Sequence, residues 1–304
     1  MPPNKVLLQT TIPTAADDWS IARFSRLGAL LAEQRDADGN PLYAVTARDR
    51  DPLGQSDSLL SALDRSDFDQ LWLFAVDTGD GLTKEDCAAI SRFRRSGRGL
   101  LVARDHMDLG SSVCTLGGVG DAHYFHSQHL DPDVAKRRRD DPFTMTIDWP
   151  NFHSGANGDF QEIEIVGPAH PLLANPDSPT GHIRYLPSHP HEGGVGAPTR
   201  EDARIIVRGT SKVTGVTFNI AVAFEPGEHG GPALAQSTFH HFADYNWDPA
   251  AGAPSFVTEL PGDGLKRVPE AMADTHRYAL NLAAWLSGTV PVGAGDRANR
   301  SELV

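Results

Sequence analysis

The apolar positions of the first hundred residues alternate between two spacings. Lys5–Thr10, Tyr43–Ala47, Gln70–Val76 and Gly99–Ala103 are apolar runs of strand length. Gln70–Val76 is unbroken, the pattern of a strand buried on both faces. Between these runs, Asp17–Gln34 repeats Ile21, Phe24, Leu27, Leu30 and Leu31 at helical spacing, with Asp17 or Asp18 as its N-cap. Ser56–Leu63 predicts a short helix capped by Ser56 or Asp57, and Leu82–Arg95 a longer one. Thr83 and Asp86 stand at capping-box spacing, and Gly97 stops the longer helix. Strands alternating with helices predict right-handed crossovers and a doubly wound, mostly parallel α/β sheet with helices on both faces.

The pattern breaks over residues 111–200, which are rich in Gly, Pro, His and Asp. Short strands are expected at Phe143–Ile147, Glu162–Val166 and Ile183–Tyr185, within a long loop-rich elaboration laid over the sheet. Regular strands return at Arg204–Arg208, Thr217–Phe224 and Ala233–Phe239. A last helix over Pro269–Ser287 carries Met272, Tyr278, Leu282, Trp285 and Leu286 on its apolar face and stops at Gly288. One domain over residues 1–288 is expected, followed by a loosely ordered polar tail, Thr289–Val304.

Charge narrows the partners. Lys and Arg number 27 against 40 Asp and Glu, a formal net charge of −13, which argues against nucleic acid. The one dense basic run, Lys136-Arg-Arg-Arg139, is followed at once by Asp140 and Asp141 and reads as a solvated helix end. No apolar run is long enough to span a bilayer, and no apolar leader precedes a small-residue cleavage site. With only Cys87 and Cys114, a cytoplasmic, reducing location without disulfides is expected. The expected partner is a small molecule; homo-oligomerisation stays open.

Candidate chemistry gathers in four stretches. The turn after Gly99–Ala103 carries Asp105 and His106 where open α/β sheets bind ligands, a general base and its orienting partner. His123, His126 and His129 are spaced to align on one face of a helical turn, a ligand set for zinc or manganese. Ser188-His-Pro-His-Glu192 sets His189 and His191 around a stiff proline with Glu192 behind them. The fourth, Ser237–Asp248, runs His240 and His241 into Asp244, Asn246 and Trp247, a carboxylate and an amide beside aromatic faces that suit a polyol. Asp17-Asp-Trp19 follows the first strand and reads as helix capping plus a packed Trp.

Gly99-Leu-Leu-Val-Ala with its elbow, Ala235-Gln-Ser-Thr-Phe-His-His241 and Tyr278-Ala-Leu-Asn-Leu-Ala-Ala-Trp-Leu286 together resemble the class I glutamine amidotransferase-like, flavodoxin-like fold. His170-Pro-Leu172 adds to a likeness to its ThuA-like (trehalose utilisation) family over most of residues 5–287. The matching positions are His106, His240 or His241, and Asn281 with Trp285. The resemblance implies work on a sugar or sugar derivative. It also implies no glutaminase activity, because amidotransferases of this fold place a Cys at the elbow. Catalysis then falls to His106, Asp105 and His240 or His241, with Asp244, Asn246, Trp247, His189, His191 and Glu192 binding substrate. The rival expectation is a non-catalytic ligand-binding or partner-binding module on the same scaffold. Convergence of Asp105, His106 and His240 or His241 on one pocket favours the enzyme; scatter favours the module.

Overall fold

Alternating side chains divide the apolar runs between two cores. Val6 and Leu8, Trp72 and Phe74, Leu101 and Ala103 enter one cluster, and Leu7, Leu71, Leu73, Leu100 and Val102 enter the other. Two covered faces explain why these strands read as unbroken apolar runs. A computed structural model describes residues 2–140 and 146–289. Strands β1 (Asn4–Thr10), β2 (Tyr43–Arg48), β3 (Gln70–Phe74) and β4 (Gly99–Ala103) form one half of an eight-stranded sheet. The order is β2-β1-β3-β4, then Ala233–Gln236, Thr217–Phe224, Ala203–Thr210 and Glu164–Ile165. The first five strands are mutually parallel and the last three pairings antiparallel. The architecture is therefore the expected doubly wound, mostly parallel α/β sheet of flavodoxin-like order.

Helix α1 (Ser25–Ala32) sends Leu27 and Leu31 into the first core, joined there by the closing helix Pro269–Leu286 through Tyr278 and Leu282. Helix α2 (Lys84–Arg95) covers the second core through Ile90 and Phe93. The capping box forms as expected, Thr83 accepting from Asp86 N and Asp86 from Thr83 N.

Two helices differ from expectation for a stated reason. The stretch expected to be one helix over Asp17–Gln34 is a turn, a 3-10 segment Ile21–Phe24 and then α1. Asp17 does not cap it, because its carboxylate accepts from Ser255 N and Oγ instead. The segment expected at Ser56–Leu63 is a 3-10 turn over Leu60–Arg65, with Asp57 accepting from Leu59 N and Leu60 N. Glu162–Val166 divides into Phe160–Glu162, paired with Tyr185–Pro187, and Glu164–Ile165 at the sheet edge. Residues 143–145 of the expected strand Phe143–Ile147, and all of the tail Thr289–Val304 but its first residue, lie outside the described residues. Trp149, Phe152, Leu172, Leu173 and Leu186 pack into the first sheet core, so the loop-rich elaboration shares its apolar interior.

Candidate functional site

Chain reversal at β1 makes β1 and β3 neighbours, and a crevice opens beyond the carboxyl ends of the parallel strands. A cavity of about 420 Å³ lies there. Asp18 and Trp19 reach it from the segment after β1, Val76 and Thr78 from after β3. Asp105 and His106 come from after β4, and Phe239 and His240 from after Ala233–Gln236. The elaboration adds His189, His191 and Asn157, and a late loop adds Glu259. Trp19, expected only to pack, meets the His240 ring edge-on at 4.5 Å between centroids.

Asp105 is the hub. Its Oδ2 accepts from His106 Nδ1 at 2.9 Å and its Oδ1 from Thr238 Oγ1 at 2.9 Å. His189 Nε2 stands 3.4 Å from Oδ1, and His240 Nε2 stands 3.6 Å from Oδ2. Burial alone would raise this carboxyl. The imidazoles of His189, His106 and His240, with the hydrogen bond from His106, outweigh it and hold Asp105 well below the usual carboxylate range.

Two asparagines decide how the imidazoles face. Asn246 Nδ2 donates to Asn157 Oδ1 at 2.7 Å and to Ser188 O at 3.0 Å. That fixes the amide, so Asn246 Oδ1, 2.7 Å from His240 Nδ1, is an acceptor and the His240 proton sits on Nδ1. Asn157 Oδ1 likewise accepts from His189 Nδ1 at 2.8 Å. Both rings therefore turn Nε2 toward Asp105. They stack at 3.5 Å with 12° between planes. Burial pulls His189 well below its ordinary value, and neighbouring His240 adds to this. His189 Nε2 is buried without a hydrogen-bond partner.

This arrangement fits a divalent cation. Tetrahedral zinc holds ligands at roughly 2.0–2.2 Å, which places them about 3.3 Å apart. The 3.4 and 3.6 Å separations come close to that. Asp105, His189 and His240 are the group of three or more His, Cys, Asp or Glu among the described residues whose donor atoms cluster tightly enough for an ion. Imidazole ligands whose second nitrogen is fixed by an amide oxygen, beside a hydrogen-bonded carboxylate, have the support that metal ligands require.

The expected ligand set is corrected. His123–Tyr124 is a short strand rather than a helical turn, so His123, His126 and His129 do not share a face. His123 is fully buried, His126 Nδ1 meets Trp149 O, and His129 Nδ1 meets His123 O.

The residues expected to bind substrate also separate. His189 and His191 reach the cavity, while Asp244, Trp247, Asn246 and Glu192 do not line it. Asp244 accepts from Ser25 N, Ser25 Oγ and Arg26 N, capping α1 from the far end of the chain. Trp247 Nε1 donates to His241 O. Asn246 acts behind His240, as described. Replacing Asp244 with Ala is expected to cost about 1–2 kcal/mol in urea unfolding, the range of a lost N-cap, and to leave ligand and ion binding unchanged. A loss of binding would return Asp244 to the site.

His241 points away from the cavity into a second, wholly buried network. Gln236 Oε1 accepts from Tyr278 Oη at 2.8 Å, so Gln236 Nε2 donates to His241 Nδ1 at 2.6 Å. The His241 proton therefore sits on Nε2, 3.5 Å from Glu192 Oε1. Glu192 also accepts from Ser154 Oγ, Gln161 Nε2 and Ser237 Oγ. Asn281 and Trp285, matched through the resemblance, are structural: Asn281 donates to Leu172 O and Ala174 O, and Trp285 packs edge-on against His170.

Sequence reasoning missed Asn157, Asn151, Thr238 and Glu259. His191 Nδ1 is 2.9 Å from Asn151 Oδ1, and its Nε2 is 3.1 Å from Glu259 Oε1. The hydrogen bond from His191 draws Glu259 down to about 2.

No family model and no curated protein matches the chain. Among solved structures it is similar to Agd3, a novel carbohydrate deacetylase, at 10% identity and a TM-score of 0.40, over 77% of this chain. The chain spans 29% of that deacetylase's length. It is also similar to the glutaminase domain of Trypanosoma brucei CTPS with bound acivicin, at 12% identity and a TM-score of 0.44. That match covers 95% of this chain and 96% of the other. Likeness at this level speaks at most to the fold, which the strand order establishes by itself.

Proposed function

We propose that the chain is a metal-dependent hydrolase of a small molecule, with a divalent ion, zinc or manganese, held by Asp105, His189 and His240. The carrying observation is the pair of imidazole Nε2 atoms turned onto one carboxylate by Asn157 and Asn246. When bound, such an ion supplies Lewis acidity, polarising a carbonyl or acidifying a water. The protein's own groups do the rest. Thr238 and His106 fix the Asp105 carboxylate. His106, on the cavity wall, holds a proton at Nδ1 against Asp105 and presents its ring to the space. The β1–β3 crevice confines the substrate beside them.

The ThuA-like resemblance suggests a sugar or sugar derivative. That reading leaned on Asp244, Asn246 and Trp247, and it keeps only His189 and His191 on the cavity wall. Convergence of Asp105, His106 and His240 supports an enzyme over a passive binding module.

Elemental analysis and calorimetry with zinc test the proposal. One ion per chain is expected, and Asn246→Leu is expected to weaken it about 10–100-fold by freeing the His240 ring. Absence of zinc and manganese binding to chelator-treated, folded protein would remove the metal mechanism.

A further inference from the structure

We infer that the cavity takes a carboxylic ester whose acyl or aryl body is apolar and uncharged. This deepens the hydrolase reading above and rests on it for the reaction, though not for the binding. Away from the Asp105 cluster the wall is mostly carbon, with Trp19, Val76, Leu109, Phe239 and Val257 facing the space. Trp19 and Phe239 are held rigid, their rings 5.5 Å apart. A polyol would leave the hydroxyls that face these five side chains without partners, at a cost in affinity for each one.

Charge points the same way. Among the described residues lining the cavity there is no Lys or Arg, while Asp18 and Glu259 both reach it. Glu259 is held ionised by its hydrogen bond from His191. Beyond the reach of an ion at Asp105, His189 and His240, an anionic group would meet these two carboxylates with no lysine or arginine to offset them, so the part of the substrate lying there fits best uncharged. The volume of about 420 Å³ corresponds to about 14 water-sized groups, and so to a molecule of roughly ten to fifteen heavy atoms. Phe256, at 57% exposure, stands at the same wall and leaves the outer end of the body a route to solvent.

The reaction balances with water alone. The water oxygen bonds to the acyl carbon and the acyl C–O bond to the alcohol breaks. Its electron pair leaves on the alcohol oxygen, which takes one proton from the water. The second proton goes to solvent, and the acid departs as carboxylate.

A homologous series tests the inference. Each methylene buried against the wall is worth about fourfold. The zinc-loaded protein should therefore hydrolyse 4-nitrophenyl butyrate about 10–20-fold more efficiently in kcat/KM than the acetate. It should cleave 4-nitrophenyl phosphate and 4-nitrophenyl β-glucoside at least ~100-fold less efficiently, the scale on which a site lacking the required polar partners discriminates. Val257→Asp should cut butyrate turnover at least ~10-fold while zinc stoichiometry stays at one. Equal turnover of acetate and butyrate, or faster cleavage of the phosphate or glucoside, overturns the inference. The metal reading is judged separately by zinc calorimetry. If no zinc binds, butyranilide and acetanilide titrated into the same protein still decide the occupant. A preference of about tenfold for butyranilide supports the apolar body, and equal affinities overturn it.

Discussion

Asp105→Asn is expected to weaken zinc by more than ~100-fold, beyond the 10–100-fold lost when a residue that only orients a ligand is changed, and to abolish hydrolysis. The carboxylate is the only anionic member of the Asp105–His189–His240 group. It is also the acceptor that fixes His106 and binds Thr238. An amide at this position keeps the shape but turns one oxygen into a donor and removes the charge that attracts the ion. The fold should survive, since Asn preserves volume in a buried position. Calorimetry with zinc on the folded variant, beside Asp244→Ala as a binding-neutral control, gives the answer. Stoichiometric zinc retained by Asp105→Asn would show that the ion, if any, sits elsewhere.

Glu192→Ala is expected to be the largest single loss of stability outside the apolar core, about 3–5 kcal/mol by urea unfolding. Glu192 is fully buried and accepts from Ser154, Gln161 and Ser237, each drawn from a different part of the chain. Removing it strands Ser237 Oγ and leaves Ser154 Oγ and Gln161 Nε2 only their second acceptors, His189 O and Pro187 O, at about 1–3 kcal/mol for each donor left unsatisfied. It also loosens the loop that presents His189, because Ser154 Oγ accepts from His189 N. A destabilisation under about 1 kcal/mol would mean that water or rearrangement satisfies these donors.

The sheet was legible because its signals are local. Each strand of the parallel half is a run of apolar residues, and α2 announces itself through Thr83 and Asp86. Asp105 and His240 were legible as candidates because they follow strand ends. Their partnership with His189 was not, since the three are 84 and 51 residues apart (189 − 105 and 240 − 189). Spacing misled at His123, His126 and His129: an interval of three has meaning only on a helix, and that segment is extended where it starts. Asp244 looked like site chemistry because it follows two histidines, yet an aspartate that caps a helix more than 200 residues earlier leaves no local mark. Asn157 sits in a Gly-rich loop with no periodicity, and only its contacts with His189 and Asn246, distant in sequence, give it a role.

The sheet order has a consequence for how the chain is made. Ala233–Gln236 lies in the middle of the sheet, between β4 and Thr217–Phe224, yet it is synthesised late. From the end of β4 at Ala103, 129 residues must emerge before Ala233 appears (232 − 103). At about 5–20 residues per second that is some 6–26 s during which β4 presents an unpaired, apolar edge on the ribosome. A nascent chain arrested before Gln236 would keep β1 to β4 together but leave that edge open, a ready template for pairing with other chains.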